Sequence, residues 1–354
     1  MKLNKKQGQF LTSTINHWLE NAVISTEEAD RLKGSYSIRA FDWKKLAAYC
    51  FYIAIACGII AFGSLVLDEW LISLIEQLLL SSDTAICLLL ALVAVGFYYW
   101  GFRRRLARPE KVFSNEAILF VGVLFTAGSI GYFGKAVDTG SGHFSLLFLL
   151  STAIYAGLAF WSDSRLIWIF AVLSFGIWFG TETGYFSGWV AYFLGMNYPM
   201  RFVVFGMLLI ALSFLLKAQP RFADFFQSTY SMGLLYLFVA LWLLSIFGNY
   251  GDIGSWYRAS SMELFHWGLL FALAAIGAIV YGLRQDDRTS RGYGITFLFI
   301  NLYTKYFEFF WDSTHKALFF GLMAISFWWI GSKAESIWNL EFLKPEEKDT
   351  HPSE

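Results

Sequence analysis

The sequence predicts an all-α protein: a polytopic transmembrane helix bundle of about ten spans, with a small cytoplasmic helical hairpin at its N-terminus. Three observations lead there. Of 354 residues, 57% are hydrophobic and only 15% charged, whereas a soluble domain averages roughly a quarter charged. Ten stretches approach the ~20 apolar residues that a spanning helix needs. The charges between those stretches then alternate as an inside–outside topology requires.

The ten stretches are 46–67, 84–102, 115–134, 143–161, 166–183, 202–216, 225–247, 263–282, 292–304 and 317–332. Stretch 202–216 is short but lies between Arg201 and Lys217, whose long side chains can snorkel outward. Stretch 292–304 is apolar only as far as Leu302 and then turns polar and aromatic. With the N-terminus inside, segments 1–45, 103–111, 165, 217–221, 284–291 and 333–348 collect about 22 of the 27 Lys and Arg. The outer side keeps Lys135, Arg201, Arg258, Lys305 and Lys316. A multi-pass membrane protein with both termini cytoplasmic fits this pattern.

Three regions follow: a cytoplasmic hairpin at 1–45, the bundle at 46–332 and a cytoplasmic tail at 333–354. Phe10, Leu11, Ile15, Trp18 and Leu19 recur at helical spacing and give the first hairpin helix an apolar stripe. We expect that stripe to pack on the inner face of the bundle. Ser25 and Glu28 have the spacing of a capping box and start a second helix. Two further segments, 69–81 and 186–198, read as helices lying at the outer interface. The N-terminus lacks the apolar core of a cleaved signal peptide before residue 46.

Several functions are disfavoured. With 27 basic and 27 acidic residues, the chain lacks the basic excess that nucleic-acid binding demands. Cys50, Cys57 and Cys87 sit inside apolar runs without a CxxC pair and read as small hydrophobes. Gly128-Ser129-Ile130-Gly131 departs from the spacing of rhomboid-type proteases, and its small residues suit close helix approach. Asp252 falls in an outer loop, and no phosphate-binding loop or dinucleotide fingerprint is present. Glu116 and Asp224 sit near helix starts, where the macrodipole favours carboxylates. No catalytic set and no cofactor site are assigned.

Ionisable groups at membrane depth are costly and so raise a functional question. The densest cluster is NLYTKYFEFFWDSTHK, 301–316. On a helix, Lys305, Glu308 and Asp312 fall at i, i+3 and i+7 on one face, with His315 just beyond. His143, His266 and His315 all map to the outer side. Glu263 and His266 are three apart at the start of a span. Without HExxH or a second ExxH, that pair carries no metal assignment. The candidate binding residues are therefore Lys305, Glu308, Asp312, His315, His266 and Glu263.

Residues 18–32, WLENAVISTEEADRL, resemble the opening of a family of bacterial membrane proteins known as domain of unknown function 2157. The segment 303–331, YTKYFEFFWDSTHKALFFGLMAISFWWIG, resembles that family's ending, through Tyr306, Phe307, Phe310, Trp311, Asp312, Leu318, Phe319 and Phe320. Lys305 and Glu308 stand where an Arg or Asp is sometimes expected. The resemblance implies an inner-membrane location and carries no activity or catalytic residues with it. Two functional readings arise from the residues themselves. One is handling or transport of a small solute or lipid at an outward-facing polar site. The other is a non-catalytic sensor or scaffold docking a partner through the hairpin. The lipid bilayer is the expected partner, with a second copy of the chain or a cytoplasmic protein left open.

Overall fold

The computed structural model describes residues 2–3, 5–21, 23–35, 37–38, 43–67, 82–137, 140 and 142–332. The expected interfacial segment 69–81 and the tail 333–354 lie outside the described residues. Apart from a two-residue parallel pairing of Lys2–Leu3 with Ser37–Ile38 and one isolated bridge, the regular structure is helical. The helices are α1 (Lys5–Glu20), α2 (Thr26–Gly34), α3 (Trp43–Leu67), α4 (Asp83–Ala107), α5 (Val112–Ala136), α6 (Ser145–Ser162) and α7 (Arg165–Phe186). They continue with α8 (Tyr198–Ala218), α9 (Phe226–Phe247, led by a 3₁₀ turn at Ala223–Phe225), α10 (Ile253–Arg258), α11 (Ser261–Arg284), α12 (Arg288–Phe310) and α13 (Lys316–Ser332).

Each of the ten apolar stretches coincides with a helix, with 143–161 beginning two residues before α6. Seven segments (α4 to α9 and α11) are long and apolar enough to cross a membrane, as in a multi-pass membrane protein. Two further helices carry shorter apolar runs, Ala48–Ser64 and Lys316–Ser332. Helix α12 has 23 residues, ample length, but is more polar than its neighbours. Stretch 202–216 proves to be the core of a 21-residue helix that begins at Tyr198, with Pro199 in its first turn and Asn197 as its cap.

The chain divides into two compact units. The first holds residues 1–82 and 91–125. In it the capping box at Ser25 is formed: the Glu28 backbone N–H donates to the Ser25 hydroxyl, and Glu28 accepts from the Ser25 N–H at 2.9 Å. These bonds to the Ser25 backbone and side chain hold the Glu28 carboxyl below its ordinary range. Ile15 of α1 and Ala29 of α2 are buried, whereas Phe10 is 71% and Trp18 41% exposed. The apolar stripe is thus covered at its middle and open at these two side chains. Further along the unit, Leu119 packs over Gly101 and Tyr98 over Gly122, where a Cβ would come within 2.7 and 2.8 Å of the facing ring or methyl. Arg105 and Glu116 approach to 3.6 Å, so Glu116 has a cation beside it as well as the helix start.

The second unit, residues 83–90 and 126–354, contains the larger core. Phe238, Leu241 and Leu244 of α9 meet Val203 of α8, Phe271 and Ala275 of α11, and Phe297 of α12. A smaller cluster joins Val172 of α7 to Phe205 and Leu209 of α8. Helices with lipid around them gain little from hydrophobicity, so close backbone approach and interhelical hydrogen bonds must hold them. Both are present. A Cβ on Gly206 would lie 2.6 Å from the Leu237 backbone nitrogen, and one on Gly294 would lie 2.7 Å from the Ala275 carbonyl. Trp168 donates to Thr229 at 2.8 Å, and Ser129 donates to the Cys87 carbonyl at 2.9 Å. Gly131, in contrast, has open space where a side chain would go, so close approach in that stretch runs through Ser129.

Segment 186–198 departs from the expected interfacial helix. It is a chain of turns with a bridge between Phe193 and Met196. Gly188, Trp189, Leu194 and Gly195 all take positive φ, a conformation that no α-helix continues through. Arg201, expected to snorkel, is instead 1% exposed. It donates from Nε to the Met196 carbonyl (3.1 Å) and from Nη2 to the Ala191 carbonyl (3.1 Å), with its guanidinium 4.4 Å from the Tyr198 ring centre.

Gly206→Val should lower the thermal stability of the detergent-solubilised protein by about 1–3 kcal/mol, the usual penalty of overpacking. Gly277→Ala, where a Cβ meets open space, should leave stability unchanged or raise it by up to about 1 kcal/mol. Equal melting shifts for the two would contradict the close-packing account.

Candidate functional site

Helix α12 is polar because its polar groups bond to neighbouring helices. Tyr293 meets Ser231 of α9 at 3.1 Å, Asn301 donates to the Gly268 carbonyl of α11 at 2.9 Å, and Trp242 of α9 donates to Thr304 at 2.9 Å. On its other side Tyr303 bonds Ser326 of α13 at 2.9 Å and stacks on Phe327. A helix so surrounded tolerates polar side chains that lipid would reject.

Lys305 lies against Gly268, where a Cβ would come within 2.4 Å of its Cε. Its ammonium donates to the Ser245 carbonyl at 2.9 Å and to Glu308 Oε2 at 2.6 Å. The two side chains are 15% and 19% exposed. The other carboxylate oxygen, Glu308 Oε1, is buried without a hydrogen-bond partner.

Glu308 and Asp312 line a cavity of about 1150 Å³. Its floor follows two adjacent i+4 ridges of α12, one through Ile295, Phe299, Tyr303 and Phe307, the other through Thr296, Ile300, Thr304 and Glu308. Met323, Phe327 and Ile330 of α13 form one wall. At the polar end Trp256 and Tyr257 of α10 lean over the mouth. Ile295 to Glu308 is 13 helical rises, about 20 Å. The result is a long apolar groove with two carboxylates at one end.

Helix α10 is held there by Asp252, which caps it and accepts from the Ser255 backbone N–H at 2.7 Å and the Ser255 hydroxyl at 2.6 Å. Those bonds, the hydroxyl's first, hold the Asp252 carboxyl below its ordinary range. Trp256 is anchored by its indole N–H to the Ile246 carbonyl at 2.9 Å.

The six candidate residues separate. Lys305, Glu308 and Asp312 gather at the groove's polar end, although Lys305 reaches away to α9 and α11. Glu263 is exposed and accepts from Tyr250 at 3.2 Å. His266 is exposed beside Trp267. His315 is exposed in the turn before α13, its ring nitrogen accepting from the Ala317 N–H. None of these three lines the groove. Among the described residues no group of three or more His, Cys, Asp and Glu stands together as metal ligands would.

A second polar cluster had no signal in the sequence. Glu182 of α7 takes His143 Nε2 at 3.1 Å and the Ser145 hydroxyl at 2.5 Å, and the His143 ring stacks on Tyr185 at 3.9 Å. The partners are 37 and 39 residues away along the chain, and no local spacing rule links them. Compared with known proteins, this chain matches no family model, no curated protein and no solved structure.

Lys305→Met leaves the Glu308 carboxylate uncompensated and should cost about 2–4 kcal/mol. The double variant Lys305→Met with Glu308→Leu should recover most of that loss, because an apolar pair in such a site is near neutral. Thermal melting in detergent of the two singles and the double measures the coupling. Additive losses would mean the pair is not a unit.

Proposed function

We propose that this is an inner-membrane bundle of ten spans, with both termini cytoplasmic, that holds a small lipid or lipid-like solute in the α12–α13 groove. The groove itself carries the reading, since an apolar groove with polar groups at one end has the lining of a ligand site. Its volume exceeds the ~300–1,000 Å³ usual for small-molecule pockets, and its length of about 20 Å is roughly two thirds of the ~30 Å hydrocarbon core. The orientation rests on charge. Arg165, Lys217, Arg221, Arg284 and Arg288 gather at the end of the second unit opposite the groove's mouth, which sets the mouth outward by the positive-inside rule. Kinship with the family that the two chain ends resemble agrees with this location.

Thr296→Trp tests the reading. Thr296 is exposed and lines the groove, so the indole should fill the slot without disturbing the core. The wild type purified in mild detergent should retain a bound amphiphile visible by native mass spectrometry, and the variant should lose most of it at unchanged melting temperature. Equal occupancy in both would remove the groove from consideration.

One observation favours docking through the N-terminal helices as a second reading: the exposure of Phe10 and Trp18 on one side of α1. Under that reading Phe10→Ser with Trp18→Ser abolishes recruitment of a cytoplasmic protein and leaves groove occupancy intact. Unchanged recruitment by the double variant would count against it.

A further inference from the structure

We propose that the occupant of the groove is a cationic amphiphile drawn from the bilayer. Its ammonium head sits between Glu308 and Asp312, and its chain lies along α12. The inference rests on the groove being a ligand site and specifies what that site selects.

Charge is the first ground. Of Lys305, Glu308 and Asp312, the two carboxylate side chains line the groove and Lys305 does not. The Lys305 ammonium is turned to the Ser245 carbonyl and Glu308 Oε2, so it neutralises one carboxylate in part and leaves the trio at a net charge of about −1. An anionic head entering here would meet the Asp312 and Glu308 side chains, which line this end.

The second ground is the inventory of donors and acceptors. Two donors beside the groove are already engaged, Trp256 with the Ile246 carbonyl and Thr304 with the Ile300 carbonyl, and the Tyr303 hydroxyl shares a bond with Ser326. On the carboxylate side Glu308 Oε1 is buried without a partner, and the Asp312 carboxylate stands one helical turn beyond. A buried carboxylate oxygen without a donor is unfavourable by about 1–3 kcal/mol or more, and a cationic head placed beside the carboxylate offsets its charge. Aromatic rings complete the fit, because Trp256, Tyr257 and Phe307 ring the same end and an ammonium is attracted to such faces.

The chain requirement follows from the rest of the lining. From Phe299 down to Ile295 and Ile330 the groove is almost wholly apolar, and a small hydrated cation would leave it empty.

The test uses the full-length protein in a non-ionic detergent with three probes: dodecyltrimethylammonium, dodecyl sulfate and tetramethylammonium. Dodecyltrimethylammonium should bind about 10- to 100-fold more tightly than the sulfate of equal chain length, the range of a charge-assisted contact. Glu308→Gln and Asp312→Asn should each weaken it and together remove the preference. Tetramethylammonium should bind far more weakly. If sulfate and ammonium bind alike, or the carboxamide variants keep the preference, the cationic assignment is overturned, while loss of both probes in Thr296→Trp would still uphold the groove as a site. If tetramethylammonium binds as well as the long-chain probe, the ligand is a soluble cation and the amphiphile assignment falls. If Thr296→Trp changes neither probe, the groove reading falls as well.

Discussion

A backbone surrounded by apolar atoms has to satisfy its own hydrogen bonds, and everything else in this structure is arranged around that constraint. Helices meet it unaided. The chain needs help only where it leaves a helix without reaching water, and Arg201 is placed at such a point. Its guanidinium collects carbonyls from Met196 and Ala191 and the Thr183 hydroxyl, and two aromatic rings cover its faces. Asn197 extends the same net, donating to the Gly248 and Tyr250 carbonyls. A run of turns that would be untenable beside lipid becomes a fixed cover over one end of α7, α8 and α9.

The same constraint explains α12. Read for hydropathy alone it is the poorest of the ten long segments, since Asn301, Tyr303, Thr304, Lys305 and Glu308 interrupt it. Most of these groups find a partner on α9, α11 or α13. Polarity in this helix is therefore a sign of being enclosed by protein. The gathering of aromatics around Phe319, with Tyr306, Phe307 and Trp311 within 4.6 to 5.5 Å, closes the turn into α13 and keeps the groove's second wall in register.

How much of this was legible beforehand depends on the range of the interaction. Short-range physics was readable: each apolar stretch became part of a helix, and the Ser25–Glu28 box formed where its spacing placed it. The Lys305–Glu308 pair was visible for the same reason, being one turn apart on one helix. Arg201 was misread because its role depends on carbonyls of turns whose positive φ at Trp189 and Leu194 no residue-type rule anticipates. Glu182 was overlooked because its partners, His143 and Ser145, lie in and just after the turn that leads into another helix. His266 and Glu263 were grouped with Asp312 by their common end of the bundle, but a helix rotation of a few residues decides which side chains reach a groove, and hydropathy is blind to that rotation.

The Lys305–Glu308 pair also bears on why a groove exists at all. Two charges taken out of water in so apolar a setting lose hydration that their mutual attraction restores only with good geometry and full hydrogen bonding. Lys305 achieves this nearly completely, with two acceptors for its ammonium. Glu308 does not, for one oxygen is left buried and unpartnered. Leucine at both positions would hold α12 against α9 and α11 at least as well. The pair is thus a poor device for stability alone and a reasonable one for binding. Lys305 fixes Glu308 in place through Oε2, and the Glu308 side chain lines a space of about 1150 Å³, large enough to admit a ligand.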